Sequence, residues 1–157
     1  MTPDESLEWV AVSAQRLHPD ELSDWVTRPD CGAVVTFCGT ARTTSTLPHE
    51  IIELEYDTDV GLAESRIRRV SAAARERWPV VRAIAIHHRI GAVPVREPAV
   101  VVAVSSPHRR EAFEAAQFCI DAVKRTVPMW KREVWQDGSA WSQEAQDILD
   151  VRDLEIP

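Results

Sequence analysis

"AVVVAVSSPHRREAFEAAQFCIDAVKRTVP", residues 99–128, changes its hydrophobic period partway along, and that change decides the fold class. Residues 99–106 form a short, valine-rich apolar run, the pattern of a buried strand. From there Ala112, Phe113, Ala116, Ile120 and Val123 recur at three- and four-residue spacing, which predicts a helix from about 107 to 127. Ser106 and Pro107 are placed to serve as its cap and first turn. Pro128 ends it, because the residue before a proline is pushed out of helical geometry.

Working outward, the same two periods alternate along the chain. "LEWVAV" (7–12) reads as a strand, "HPDELSDWV" (18–26) as a short helix, and "CGAVVTFCGT" (31–40) as a buried strand ending in a glycine turn. The polar "ARTTSTLPHE" (41–50) reads as a loop, "IIELEY" (51–56) as a half-exposed strand, and 60–77 as an amphipathic helix with arginines on its outer face. Strands are expected at 81–90 and 99–106, with "GAVPVREP" between them; "VWQDGSAW" and the last residues carry no clear period. The order β-α-β-β-α-β-β-α predicts one α+β domain over 1–157, a mostly antiparallel sheet flanked by helices.

Composition excludes several classes. At 157 residues the chain can bury roughly 70% of its unfolded surface. A net charge of −7 opposes extended nucleic-acid binding. Apolar runs fall far below the ~18 residues of a membrane span, and the acidic "MTPDESLEW" lacks the basic and apolar regions of a signal peptide, so a cytoplasmic protein is expected. Cys31, Cys38 and Cys119 are odd in number with no CxxC spacing, which predicts buried thiols and neither disulfides nor zinc. His87 and His88 are neighbours in a strand and point to opposite faces, so one is expected in the core and the other exposed.

Charge is unevenly spent. Among 18 Lys plus Arg only two are lysines, Lys124 and Lys131, and both fall in "KRTVPMWKR" (124–132), which contains no acid. Lysine differs from arginine in carrying a titratable amine fit for acid–base or nucleophilic work. Two readings stay open for the pair: reactive amines in a site, or solvated cations favoured by a helix C-terminus. His108 and Arg109 in "PHRRE" could hold an anion at a helix N-terminus, and Arg42 opens a loop from which it could reach a pocket; each could also be an ordinary surface residue. His108 and Lys124 stand 16 residues apart on one helix, about 24 Å and about 160° of rotation. One small ligand can touch both only if a second copy of the chain completes the site.

"GAVVTFCGTAR", "LEYD", "IHHRIGAVPVREPAVVVAVSSPHRREAF" and "DAVKRTVPMWKRE" resemble, in order, the motifs of the large, catalytic subunit of molybdopterin synthase, over about 32–141. The resemblance implies an α/β-hammerhead-like α+β fold that forms a two-fold dimer. It implies conversion of cyclic pyranopterin monophosphate to molybdopterin by dithiolene formation. The sulfur would come from the C-terminal Gly-Gly thiocarboxylate of a small ubiquitin-like carrier, one bound at each end in a heterotetramer, with no cofactor, metal, nucleic acid or membrane at this step. By position it marks Lys124 and Lys131 as catalytic, and Arg42, His108, Arg109, Phe37 and Met129 as substrate-binding, in a pocket shared between subunits. The chain departs from the pattern at Ala41, at a loop after Arg42 without glycine, and at Leu62. The chain ends in "LEIP", so the carrier is expected to be a separate protein. A non-catalytic scaffold paralogue of the same fold is the alternative; the residues taken without the resemblance suggest a lysine Schiff-base enzyme acting on a small phosphorylated carbonyl compound.

Overall fold

The computed structural model describes residues 6–142 and 149–156, so the first five residues and part of the C-terminal tail lie outside the described residues. In chain order the elements are β1 (Glu8–Ser13), α1 (Pro19–Val26), β2 (Ala33–Thr40), β3 (Glu53–Asp57), α2 (Val60–Arg77), β4 (Ile84–Arg89), β5 (Gly91–Pro94), β6 (Pro98–Ser106), α3 (Arg109–Thr126), β7 (Trp130–Trp135) and β8 (Gly138–Trp141), with a 3-10 turn at Val151–Asp153. The α+β class and the mostly antiparallel pairing hold. Among the described residues the strands divide between two four-stranded sheets, ordered β1-β4-β6-β2 and β5-β3-β7-β8, with the β1–β4 pair parallel and the others antiparallel.

Strand β6 shows why the first sheet is a core element: all nine of its residues are buried. Val100, Val102 and Val104 face α2 and α3 together with Ile84 and Ile86 of β4. Val101 and Ala103 face the opposite way, onto Leu22 and Val26 of α1, where Ala83 and Ala85 leave room for the short helix. A sheet covered on both faces reads as a continuous apolar run, as 99–104 does. For the same reason the expectation of one exposed histidine at 87–88 fails. His87 lies against Trp9 on the α1 face and His88 against Tyr56 on the other, and both are buried.

Three further expectations are corrected. Helix α3 is capped by His108, with no side-chain cap bond, and starts at Arg109. Ser106 cannot cap it because it is still paired with Ala33 in the sheet, and the Gly32 N–H binds the Pro107 carbonyl at 3.2 Å, which keeps the chain extended. Of the three free cysteines only Cys119 is buried; Cys38 is exposed because β2 is an edge strand. The connection "GAVPVREP" and the stretch "VWQDGSAW" also hold strands: 91–94 pairs with β3, and 130–141 is a hairpin closed by Gln136 and Asp137, while the described tail residues include the 3-10 turn. Helix α2 has the bounds expected, its first turn capped by the Asp59 carboxylate, which accepts from the Leu62 N–H at 3.0 Å. No helix among the described residues is long and apolar enough to cross a membrane.

Candidate active site

The end of α3 and the start of β7 build the site. Val127 leaves helical geometry just before Pro128, and the Thr58 hydroxyl donates to the Pro128 carbonyl at 2.5 Å, tying this corner to the second sheet. Three residues on, Lys131 enters β7 opposite Tyr56 of β3. Lys124, in the last turn of α3, and Lys131 therefore reach one cavity of about 600 Å³ from two directions, a helix end and a strand. Arg42 enters from the loop after β2, and Met129 lines the wall between the lysines. The predicted amines and the loop arginine thus come together in a single chain.

Charge in this cavity is lopsided. Among the described residues Arg42, Lys124 and Lys131 share the lining with one carboxylate, Glu133, which is almost fully buried and accepts a hydrogen bond from the Ser45 hydroxyl at 2.8 Å. That bond pins the 41–50 loop against β7. Arg132, next to the lysine, is already engaged with Glu55 and lies over the Trp141 ring at 5.7 Å. Lys124 and Arg42 make no hydrogen bond or ion pair among the described residues, which leaves two cations available to an anionic ligand.

Three ionisable lining residues were not assigned to a site from the sequence: His88, Tyr56 and Glu133. Burial pushes the Tyr56 phenol up to about 12, so it stays an O–H donor. Burial, with the charge of Lys124 adding to it, pushes His88 down to about 4, so its ring is neutral near pH 7. His88 Nδ1 lies 2.8 Å from the Arg89 carbonyl oxygen, which only accepts, so Nδ1 carries the proton. Trp130 and Trp141, both largely exposed, form the rim. The sequence signal for Glu133 was its two-residue spacing from Lys131, which puts both on one face of a strand.

The other expected site residues lie elsewhere in the chain. Phe37 sits partly exposed on edge strand β2, and His108 and Arg109 are exposed at the opposite end of α3 from Lys124. No group of three or more His, Cys, Asp or Glu suited to a metal occurs among the described residues.

A two-sheet α+β scaffold thus gathers two lysines and an arginine over a neutral imidazole and a phenol in one cavity. The model of the MoaE protein family matches residues 12–126. The chain is 39% identical over 136 residues to the molybdopterin synthase catalytic subunit of Taeniopygia guttata, covering 87% of each. It is 38% identical over 138 residues to that of Homo sapiens, covering 88% of this chain and 72% of the human one. The crystal structure of molybdopterin synthase from Staphylococcus aureus superposes with a TM-score of 0.79 at 33% identity, over 85% of this chain and 96% of that one. A complex of subunits 1 and 2 of molybdopterin-converting factor from Helicobacter pylori, with a TM-score of 0.70 at 18% identity over 90% and 94% of the two chains, shares the fold. The chain belongs to the MoaE protein family, the molybdopterin synthase catalytic subunits.

Proposed function

We propose that this chain converts cyclic pyranopterin monophosphate to molybdopterin, taking each dithiolene sulfur from the C-terminal thiocarboxylate of a small ubiquitin-like carrier. The observation that carries the reading is the meeting of Lys124 and Lys131, the only lysines of the chain, in one cavity. Lys124 orients the carrier's terminal group and serves as acid/base, a role the guanidinium of arginine cannot fill. Lys131 stabilises negative charge developing on the substrate, and Arg42 and Met129 hold the pterin. Two sulfurs enter each product, so two charged carriers are consumed per turnover.

His108 and Arg109 lie about 24 Å along α3 from Lys124 and join the site as residues of a second copy, which brings a phosphate-binding helix end to the cavity. Phe37, exposed on the edge strand, belongs to the same shared wall. The working assembly is then a two-fold dimer with one carrier at each end. The Helicobacter pylori complex of two subunits of the converting factor accords with a small partner.

The test is a single-turnover reaction of the pterin with thiocarboxylated carrier, comparing native protein with Lys124→Ala and Lys131→Arg. Dithiolene formation by native protein, lost in Lys124→Ala while the carrier still binds, supports the reading. Carrier binding without sulfur transfer by native protein makes the chain a scaffold and its lysines a docking patch.

A further inference from the structure

The cavity floor contains a side chain that the proposed chemistry has not used. His88 lies on the face of β4 shared with Ile84 and Ile86, and its backbone is in register with Val12 and Val100. Its ring is held on two sides, by the 2.8 Å bond from Nδ1–H to the Arg89 carbonyl and by the edge of Tyr56 with ring centres 5.1 Å apart. With the proton on Nδ1, Nε2 has a free lone pair. Lys124 lines the same cavity, is exposed, and makes no hydrogen bond or ion pair among the described residues.

We propose that His88 is a positioning residue of this site: its anchored imidazole offers Nε2 to the cavity as the hydrogen-bond acceptor that draws the Lys124 ammonium inward. An ammonium on a four-carbon stem needs an acceptor to hold one position. A carboxylate would hold it but cancel the charge that an anionic ligand needs. A neutral imidazole fixes the amine and leaves its charge intact. Burial keeps the ring neutral, pushed down to about 4, and the charge of Lys124 reinforces this. The other ionisable groups lining the cavity among the described residues are Tyr56 from β3, Lys131 and Glu133 from β7 and Arg42 from the loop; Arg89, next to His88 on β4, is paired with Glu97.

The role rests on the sulfur-transfer reading, but its first test needs no substrate. A chain with two lysines labelled with nitrogen-15 lysine gives two ammonium signals, and Lys131 is the internal reference. His88→Asn keeps a donor for the Arg89 carbonyl and lacks an acceptor at the Nε2 position; His88→Gln places an amide oxygen there. The expected result is a Lys124 N–H signal slowed in exchange with water in native protein, at least tenfold faster in His88→Asn, and restored in His88→Gln, with Lys131 unchanged. In single turnover, His88→Asn lowers the transfer rate about tenfold with unchanged carrier affinity, and His88→Gln recovers it. A Lys124 signal indifferent to both substitutions overturns the proposal. So does a change shared by both lysines, which makes His88 a structural residue only. A native protein that transfers no sulfur refutes the function and leaves the Lys124 contact to be judged by its exchange alone.

Discussion

Gly39→Ala tests the wall on which the cavity rests. Strand β2 pairs Gly39 with Val100 and then slips register before Thr40, and all three residues line the cavity. A Cβ on Gly39 would stand 2.7 Å from Val100 Cγ1 and 3.4 Å from Phe37 Cε1, the first far inside the ~3.5 Å at which carbon atoms attract. Val100 cannot easily step aside, since it is branched at Cβ, buried at 6% exposure and in register with His88. The clash falls in the overpacking range of about 1–3 kcal/mol. At about 2–4 °C per kcal/mol for a chain of this size, a value near the middle lowers Tm by about 4–8 °C. Val100→Ala alone removes two methyl groups, costing about 2 kcal/mol once the cavity left behind is included. In the double variant the added methyl enters the space that Val100 vacated. Urea unfolding of the four proteins should then show the pair less destabilised than the sum of the singles by about 1–2 kcal/mol. Additive losses, or a Gly39→Ala protein as stable as native, refute the close approach.

Other expectations test the loop, the acid limb of stability and the substrate arginine. Ser45→Ala removes the hydroxyl that donates to the buried Glu133 carboxylate, a loss of about 1.5–3 kcal/mol from the loop's packing against β7. Amide exchange over 43–51 should quicken while α2 is unchanged; equal exchange in both proteins refutes the tie. His87 and His88 are both pushed down to about 4 by burial, against about 6.5 when unfolded. Between those values the unfolded chain binds protons that the fold refuses. Stability is therefore full above pH 6.5 and falls as pH drops toward 4, by up to on the order of 3 kcal/mol for His88. His87 Nε2 is buried with no hydrogen-bond partner among the described residues, so His87→Phe should cost little at pH 7 and remove roughly half the acid slope in urea titrations at pH 7 and 4.5. An unchanged slope counts against a buried neutral ring. Arg42→Ala should raise the pterin concentration for half-maximal transfer about tenfold and leave carrier affinity unaltered; loss of carrier binding instead moves Arg42 to the docking surface.

Legibility in this chain follows the range of the interactions. Helix α2 was readable to its ends because four of its five periodic residues, Ala63, Ile67, Val70 and Ala74, pack on one side of one helix, while Leu62 is exposed. The end of α3 was readable because Pro128 acts on its immediate neighbour. Its start was not, because Ser106 prefers a strand partner, Ala33, that is distant in sequence. The hairpin at 130–141 carried a local signal, Asp137-Gly138, but Trp-rich strands with charged residues between them do not show a clean period until β3 and the loop cover one face. His88 follows the same logic, since its burial depends on the first sheet being covered on both faces, a fact about α1 and α3 and not about its own neighbours.

The two lysines combine both ranges. Their rarity is visible in the sequence, and Pro128 between them explains why they do not share a helix. What brings them to one cavity is long-range: β7 pairs with β3, so that Lys131 sits opposite Tyr56, and Thr58 holds the Pro128 carbonyl. A chain that writes arginine at its other 16 basic positions has thus kept its two titratable amines where helix end and strand converge. Arginine would satisfy the helix C-terminus and the surface equally well, and Arg125 and Arg132, each one residue beyond a lysine, already do so. What arginine lacks is an amine that can both give and take a proton in a site. A cavity that needed only positive charge would give no reason to retain lysine at both positions, which is why the proposed function gives this pair acid–base work as well as docking.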